Sequence, residues 1–248
     1  MRARHVSVAA VVLWAVSDPT FCAADVEFSS FPYWSLDYRC IQNEINISAA
    51  QAKQIEELVK QLDDAVWEHH ERFPFPNVED LPENEGIRKK REHLKLSLPR
   101  YRKMLADFLP RFEKVLDAQQ RHRLQQVSWQ LTLREALRDR SLWDAMELPN
   151  DRRAQLSAVY DQFKDKEDHL LSPANIRSDS PKLAQTLAQM ERLYPDWEHA
   201  MVQVLTKAEK KKLDGVLGKP FDVSLFRKEA ASRPMQVRQF KRLSAPEK

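Results

Sequence analysis

Glycine occurs only three times in this chain of 248 residues, at Gly86, Gly215 and Gly218. Tight hairpin turns and phosphate-cradling loops draw on residues that accept positive φ without strain, and glycine is the usual one. A chain so short of it lacks the means for a sheet built from hairpins or for the loop of a P-loop or dinucleotide site. Helices joined by proline-rich turns are the natural alternative. Hydrophobic residues make up 42% of the chain, which argues against disorder throughout and allows one sizeable core or two smaller ones.

The apolar spacing agrees. Ile55, Leu58, Val59, Leu62 and Val66 recur at helical steps, and Leu156, Val159, Tyr160 and Phe163 begin another stripe. Leu183, Leu187, Met190, Tyr194, Trp197, Met201 and Val204 alternate steps of four and three, a heptad-like seam that requires a partner helix. Pro195 interrupts that seam and predicts a kink or restart near Tyr194; Pro99 and Pro110 raise the same expectation between Ile87 and Val115. Breaks fall at Phe73 to Gly86, Leu148 to Asp151 and Ser172 to Pro181.

Residues 1–24 read as an export signal: Arg2 and Arg4, an apolar run from Val6 to Val16, then small residues ending at Ala23-Ala24. The run is too short to cross a ~30 Å hydrocarbon layer, which needs ~20 apolar residues. Export to the periplasm or cell envelope is therefore expected, and cleavage after Ala24 removes Cys22. Cys40 is then the one remaining thiol, either a buried apolar residue, the reading preferred, or an intermolecular link. Residues 25–46, with Phe28, Phe31, Tyr33, Trp34 and Tyr38 interrupted by serine and proline, read as a non-helical aromatic arm packed on the body. The net charge of +3 announces no specific nucleic-acid or membrane partner. Residues 222–248 hold seven basic residues against three acidic ones, a basic and flexible tail suited to anionic surfaces.

One local pattern occurs four times: an aliphatic residue, a helix-starting residue, two variable positions, a long polar residue, and aliphatics four and seven positions further on. The copies begin at Ile47-Ser48 with Gln51, Leu116-Asp117 with Gln120, Leu148-Pro149 with Arg152, and Leu205-Thr206 with Glu209. Ser48, Asp117 and Thr206 are suited to accept a hydrogen bond from a first-turn amide, with Gln51, Gln120 and Glu209 placed to reach back, a capping box worth ~1 kcal/mol. The third copy departs, since Arg152 cannot accept the return bond; Asn150 is the alternative cap there. The first and third copies lie 101 positions apart and the second and fourth 89, as a duplicated two-motif unit with unequal linkers would give.

With these motifs the chain resembles the LTxxQ-motif envelope proteins of the Spy and CpxP type. Leu205-Thr206-Lys207-Ala208-Glu209 is the nearest copy, and the closing Leu217-Gly218-Lys219-Pro220-Phe221 is similar to endings of exported bacterial proteins built on this motif. The resemblance implies an all-α fold of long antiparallel helical hairpins in two units, 47–147 and 148–221. It also implies a cradle whose amphipathic surface holds unfolded or partner proteins without ATP. Family members carry two motifs per chain and pair as homodimers; four motifs here imply a similar cradle made by one molecule.

Chemistry is sparse. There is no Gly-x-Ser-x-Gly elbow, and the His70-Glu71 pair fails the His-Glu-x-x-His spacing. Glu68, His69, His70 and Glu71 form the densest group of metal-ligand types, but two adjacent imidazoles diverge by about 100° on a helix. A solvated helix end is the preferred reading and a metal-responsive sensor or buffer the alternative, since some relatives of this type sense metals. No enzyme and no cofactor are expected. Trp67, Trp129, Trp143 and Trp197 are assigned to core packing.

Overall fold

The computed structural model describes residues 32–74, 76, 83–170 and 182–232, and every described element is helical. Residues 1–24, read above as an export signal, residues 25–31 of the expected arm and residues 233–248 of the tail lie outside the described residues.

Far from being a non-helical arm, residues 32–46 open the fold. Pro32–Asp37 form a 3-10 helix and Arg39–Glu44 a short α-helix, α1. Pro32 stands at a helix start, where its missing N–H costs nothing. The buried Ser35 hydroxyl donates to the Pro32 carbonyl at 2.8 Å, and Leu36, Ile41 and Ile45 are all but fully buried. Asn46 then turns the chain at φ 55°, and the Ile47 amide reaches back to the Gln42 carbonyl at 2.9 Å. This left-handed closure ends α1 within one residue and frees Ser48 to start the next helix.

That helix, α2 (Ala49–Arg72), packs along α3 (Glu83–Val115). Ile55, Leu58, Leu62 and Val66 of α2 meet Tyr101, Phe108 and Phe112 of α3 in a first core with the 3-10 helix, α1, and Leu124 and Val127 of α4 (Ala118–Leu131). A second core begins two residues later, at Trp129. It takes Ala136 of α5 (Leu133–Ala136), Leu142 of α6 (Arg140–Ala145), Leu156 and Tyr160 of α7 (Asn150–Leu170), Trp197 and Met201 of α8 (Leu183–Val204), and Leu213 of α9 (Lys207–Leu217). The boundary between the two bodies thus falls inside α4 rather than at residue 147, because residues 133–146 pack as the lead-in to α7. α6 closes as α1 does: Glu147 sits at φ 54°, and the Leu148 amide returns to the Trp143 carbonyl at 2.9 Å.

Of the kink or restart expected at the prolines, the restart is absent: helices α3 and α8 run through Pro99, Pro110 and Pro195. All three prolines are exposed, as are Lys95, Ala106 and Glu191 four residues earlier, so the carbonyls that lose their amide partner lie on the wet side of each helix. The tail is not featureless either, since Val223–Ser232 form α10. In the expected seam of α8, Met190, Trp197 and Met201 are buried, but Leu187 is 53% exposed.

Candidate functional site

The repeated motif folds as the starts of α2, α4, α7 and α9. Three of the starts carry complete capping boxes. Ser48 Oγ accepts from the Gln51 amide at 3.2 Å and Gln51 Oε1 from the Ser48 amide at 3.0 Å. Asp117 and Gln120 do the same at 2.8 and 3.0 Å, and Thr206 and Glu209 at 3.2 and 2.7 Å. Each satisfies amides that a helix otherwise leaves without an acceptor. The aliphatic that opens each copy anchors it: Leu116, Leu148 and Leu205 are buried and Ile47 is half-buried against the first core.

At the third start the Pro149 carbonyl accepts the first helical bond, from the Arg153 amide at 3.1 Å, so Pro149 occupies the cap position. Asn150 is the first residue of α7 and not its cap. The proline ring has no acceptor to offer, and the side-chain cap is lost there.

The motifs do more than start helices, because their long polar residues meet in pairs. Gln51 Nε2 donates to Gln120 Oε1 at 2.8 Å and Gln120 Nε2 to Gln51 Oε1 at 3.2 Å. Each amide also reaches the chain just before the other's motif, Gln51 to the Val115 carbonyl at 2.8 Å and Gln120 to the Asn46 carbonyl at 3.2 Å. The first two starts are thereby clasped head to head. In the second body Arg152 takes the place of one glutamine and Glu209 of the other, and they form an ion pair at 3.1 Å with side chains only 18% and 13% exposed. Burial opposes ionisation of Glu209, but its bonds to Thr206 and to Arg152 outweigh that and hold its carboxyl below the usual range.

Residues that sequence reasoning passed over join the bodies. Gln126 and Gln130 of α4 donate to the Val216 carbonyl at 3.1 Å and the Leu217 carbonyl at 2.7 Å, and Gln130 Oε1 accepts the Phe221 amide at 2.6 Å. Gly218, at φ 67°, lies so close that a Cβ there would stand 2.5 Å from the Gln126 side chain. Leu217-Gly218-Lys219-Pro220-Phe221 is therefore a crossing from the second body to the first, where Phe221 is buried. No periodicity marks these glutamines, and only their repetition on one face of α4, four residues apart, could have drawn attention to them.

The second body also buries charge. Lys164, with a side chain 2% exposed, meets Glu167 at 2.7 Å, and the Tyr194 hydroxyl donates to Glu167 at 3.0 Å. Arg134 lies over the Tyr194 and Trp197 rings at 4.2 and 4.7 Å.

The weak metal candidates are occupied otherwise. Glu68 pairs with Arg72, and Glu71 accepts the Trp67 indole N–H at 2.8 Å. His69 packs between Phe73 and Tyr101; burial lowers the pKa of His69 and His70, with repulsion from His70 and His93 adding at His69 and from His93 at His70. Among the described residues no three histidine, cysteine or acidic side chains come together as a metal group. Burial pushes Tyr33 and Tyr101 up to about 12, and burial with the Glu229 carboxylate pushes Cys40 up to about 11. These groups are held protonated, the opposite of nucleophile activation. No protein-family model, curated protein or solved structure matches the chain.

Proposed function

We propose that this chain is a non-catalytic, exported binding protein of chaperone-like or envelope-stress-related type, which holds unfolded chains on a mixed apolar and basic helical surface. The observation that carries this reading is the pairing of aromatic rings with basic side chains on both bodies. Arg100 lies over Phe73 at 4.9 Å, Arg111 over Phe108 at 4.7 Å, Arg138 over Tyr160 at 4.6 Å, Arg153 over Trp143 at 5.8 Å and Lys166 over Phe163 at 4.4 Å. Phe73, Trp143 and Phe163 are half-buried, and a flexible cation on such a ring can slide aside to share it with a passing side chain, and can itself pair with a carboxylate of the client. Such contacts grip many sequences loosely, without a deep pocket or a cofactor.

The reading includes an internal duplication into two antiparallel hairpins, α2 with α3 and α7 with α8. Positions 101 apart support it: Leu36 and Leu137, Ile41 and Leu142, and Ile55 and Leu156 are all 0% exposed. So does a spacing of 89, at which Phe112 matches Met201 at 0% and Leu116 matches Leu205 at 3%. A crystal structure in which residues 39–69 do not superpose on residues 140–170 would remove this support.

The functional test is an aggregation assay with a chemically unfolded client, beside a protein of equal size and charge. The expected result is suppression at near-stoichiometric ratio, without ATP or metal, weakened when Arg100 and Arg153 are changed together to glutamine. No suppression, or suppression only with zinc, removes the reading and leaves the sensor.

A further inference from the structure

The two short helices α1 and α6 have the same length and the same left-handed ending, but they begin differently. α6 caps itself: Asp139 Oδ1 accepts from the Ser141 amide at 2.8 Å. In α1 the corresponding residue is Tyr38, whose side chain makes no capping hydrogen bond. The missing acceptor comes from the far end of the chain. Glu229 of α10 takes the Arg39 amide on one carboxylate oxygen at 2.8 Å and the Cys40 amide on the other at 2.9 Å.

α10 is otherwise lightly held. It has no buried residue, and its Leu225 is 49% exposed. Val223 and Phe226 rest half-buried on the first core, with the Phe226 ring 4.5 Å from that of Tyr38. Between α1 and α10 runs a groove of about 700 Å³ whose lining includes Arg39, Cys40, Asn43, Leu225, Lys228 and Glu229. The chain just before α10 is firmly fixed, since Phe221 is buried and its amide is bound to Gln130. Asp222 then caps the Ser224 amide at 2.9 Å. A departure of α10 as a unit would pivot at Asp222 and leave Phe221 in place.

We propose that α10 is a latch: docked, it completes the start of α1 and partly covers the Cys40 thiol; undocked, it exposes the α1 wall of the groove and releases the α1 amides and the thiol together. Coupling follows from one carboxylate serving all three groups, the two amides and the thiol that hydrogen-bonds to it. The latch works independently of how clients are held. The thiol reports its state, because only the thiolate attacks a disulfide, and both burial and the adjacent carboxylate suppress the thiolate while α10 is docked.

The test uses the full chain carrying Cys22→Ser, so that Cys40 is the single thiol, and follows its reaction with dithiobis(nitrobenzoate). The Cys40 thiolate attacks one probe sulfur, a mixed protein–probe disulfide forms and thionitrobenzoate leaves, giving the absorbance signal. Glu229→Ala and Phe226→Ala should each accelerate the reaction by about tenfold or more at constant pH. Amide exchange on the unsubstituted chain gives a second measurement, independent of whether those variants fold. The amides of Arg39, Cys40 and α10 should open together and far more readily than those of α2. Equal thiol rates in all three chains would overturn the latch, as would α10 amides protected as strongly as those of α2.

Discussion

Between the first and second helix starts the clasp is made by two neutral amides, Gln51 and Gln120, and between the third and fourth by an arginine and a glutamate, Arg152 and Glu209. A glutamine donates and accepts, so each member of the amide pair caps its own helix and holds its partner at once. Charge divides those roles. Glu209 still accepts, and caps Thr206 while binding Arg152. Arg152 only donates, so its own helix goes without a reciprocal cap, and a proline is tolerated at Pro149, where a serine would have had no return partner. The ionic clasp gains Coulomb attraction between side chains mostly shielded from water and gives up one capping box.

The sharpest way to break this comparison is to remove one partner. Arg152→Ala leaves Glu209 largely shielded from water and without its cation, and should cost about 2 kcal/mol or more in urea denaturation. Arg152→Gln combined with Glu209→Gln rebuilds the first clasp in the second body and should cost less than about 1 kcal/mol. A double variant as unstable as the single one would show that the two clasps are not equivalent.

Gln120→Ala removes a cap, both bonds to Gln51 and the bond to the Asn46 carbonyl, and should cost about 1.5 kcal/mol by the same measurement. Acid sharpens the contrast further. Glu209 has a lowered pKa in the folded state, so the unfolded chain takes up a proton first as pH falls. Its contribution is complete above the ordinary carboxylate range and is lost as pH falls through the lowered folded value. The stability difference between the wild type and the double glutamine variant should therefore shrink across that window, whereas the difference made by Gln120→Ala should not follow Glu209. Titrating both differences by denaturation at stepped pH checks this. The smallest effect is expected at Pro149→Ser, which supplies the absent cap acceptor and should raise stability by about 0.5 kcal/mol, read as a small upward shift in Tm.

The capping boxes were legible in the sequence because a cap is local: acceptor and amide lie within three residues, and Ser48, Asp117 and Thr206 declare it. The clasps were not, although a clue was present, since the two departures from glutamine, Arg152 and Glu209, carry opposite charge. Reading it requires knowing which start faces which, and that is decided by the packing of α2 on α3 and α7 on α8. The same holds for Tyr38 and Glu229, whose relation spans 190 positions. Residues 32–46 were misjudged because serine and proline, read as breakers, stand here at a helix start. That α3 and α8 continue through their prolines is not legible in the sequence, because spacing does not reveal that the orphaned carbonyls face water.

Phe221 sets a condition on the order in which the molecule can be completed. Its ring belongs to the core built mainly from residues 33–127, and it arrives there only after the second body has been threaded past α4. As the chain emerges from a ribosome, the N-terminal body is the first to appear, and its core is completed only when Phe221 follows. Until Phe221 arrives, an apolar site on that body stays open to solvent, and it is filled by a residue from the opposite end of the same molecule. A chain broken off before residue 221 would lack that ring, and the core of its earliest-made half would be incomplete.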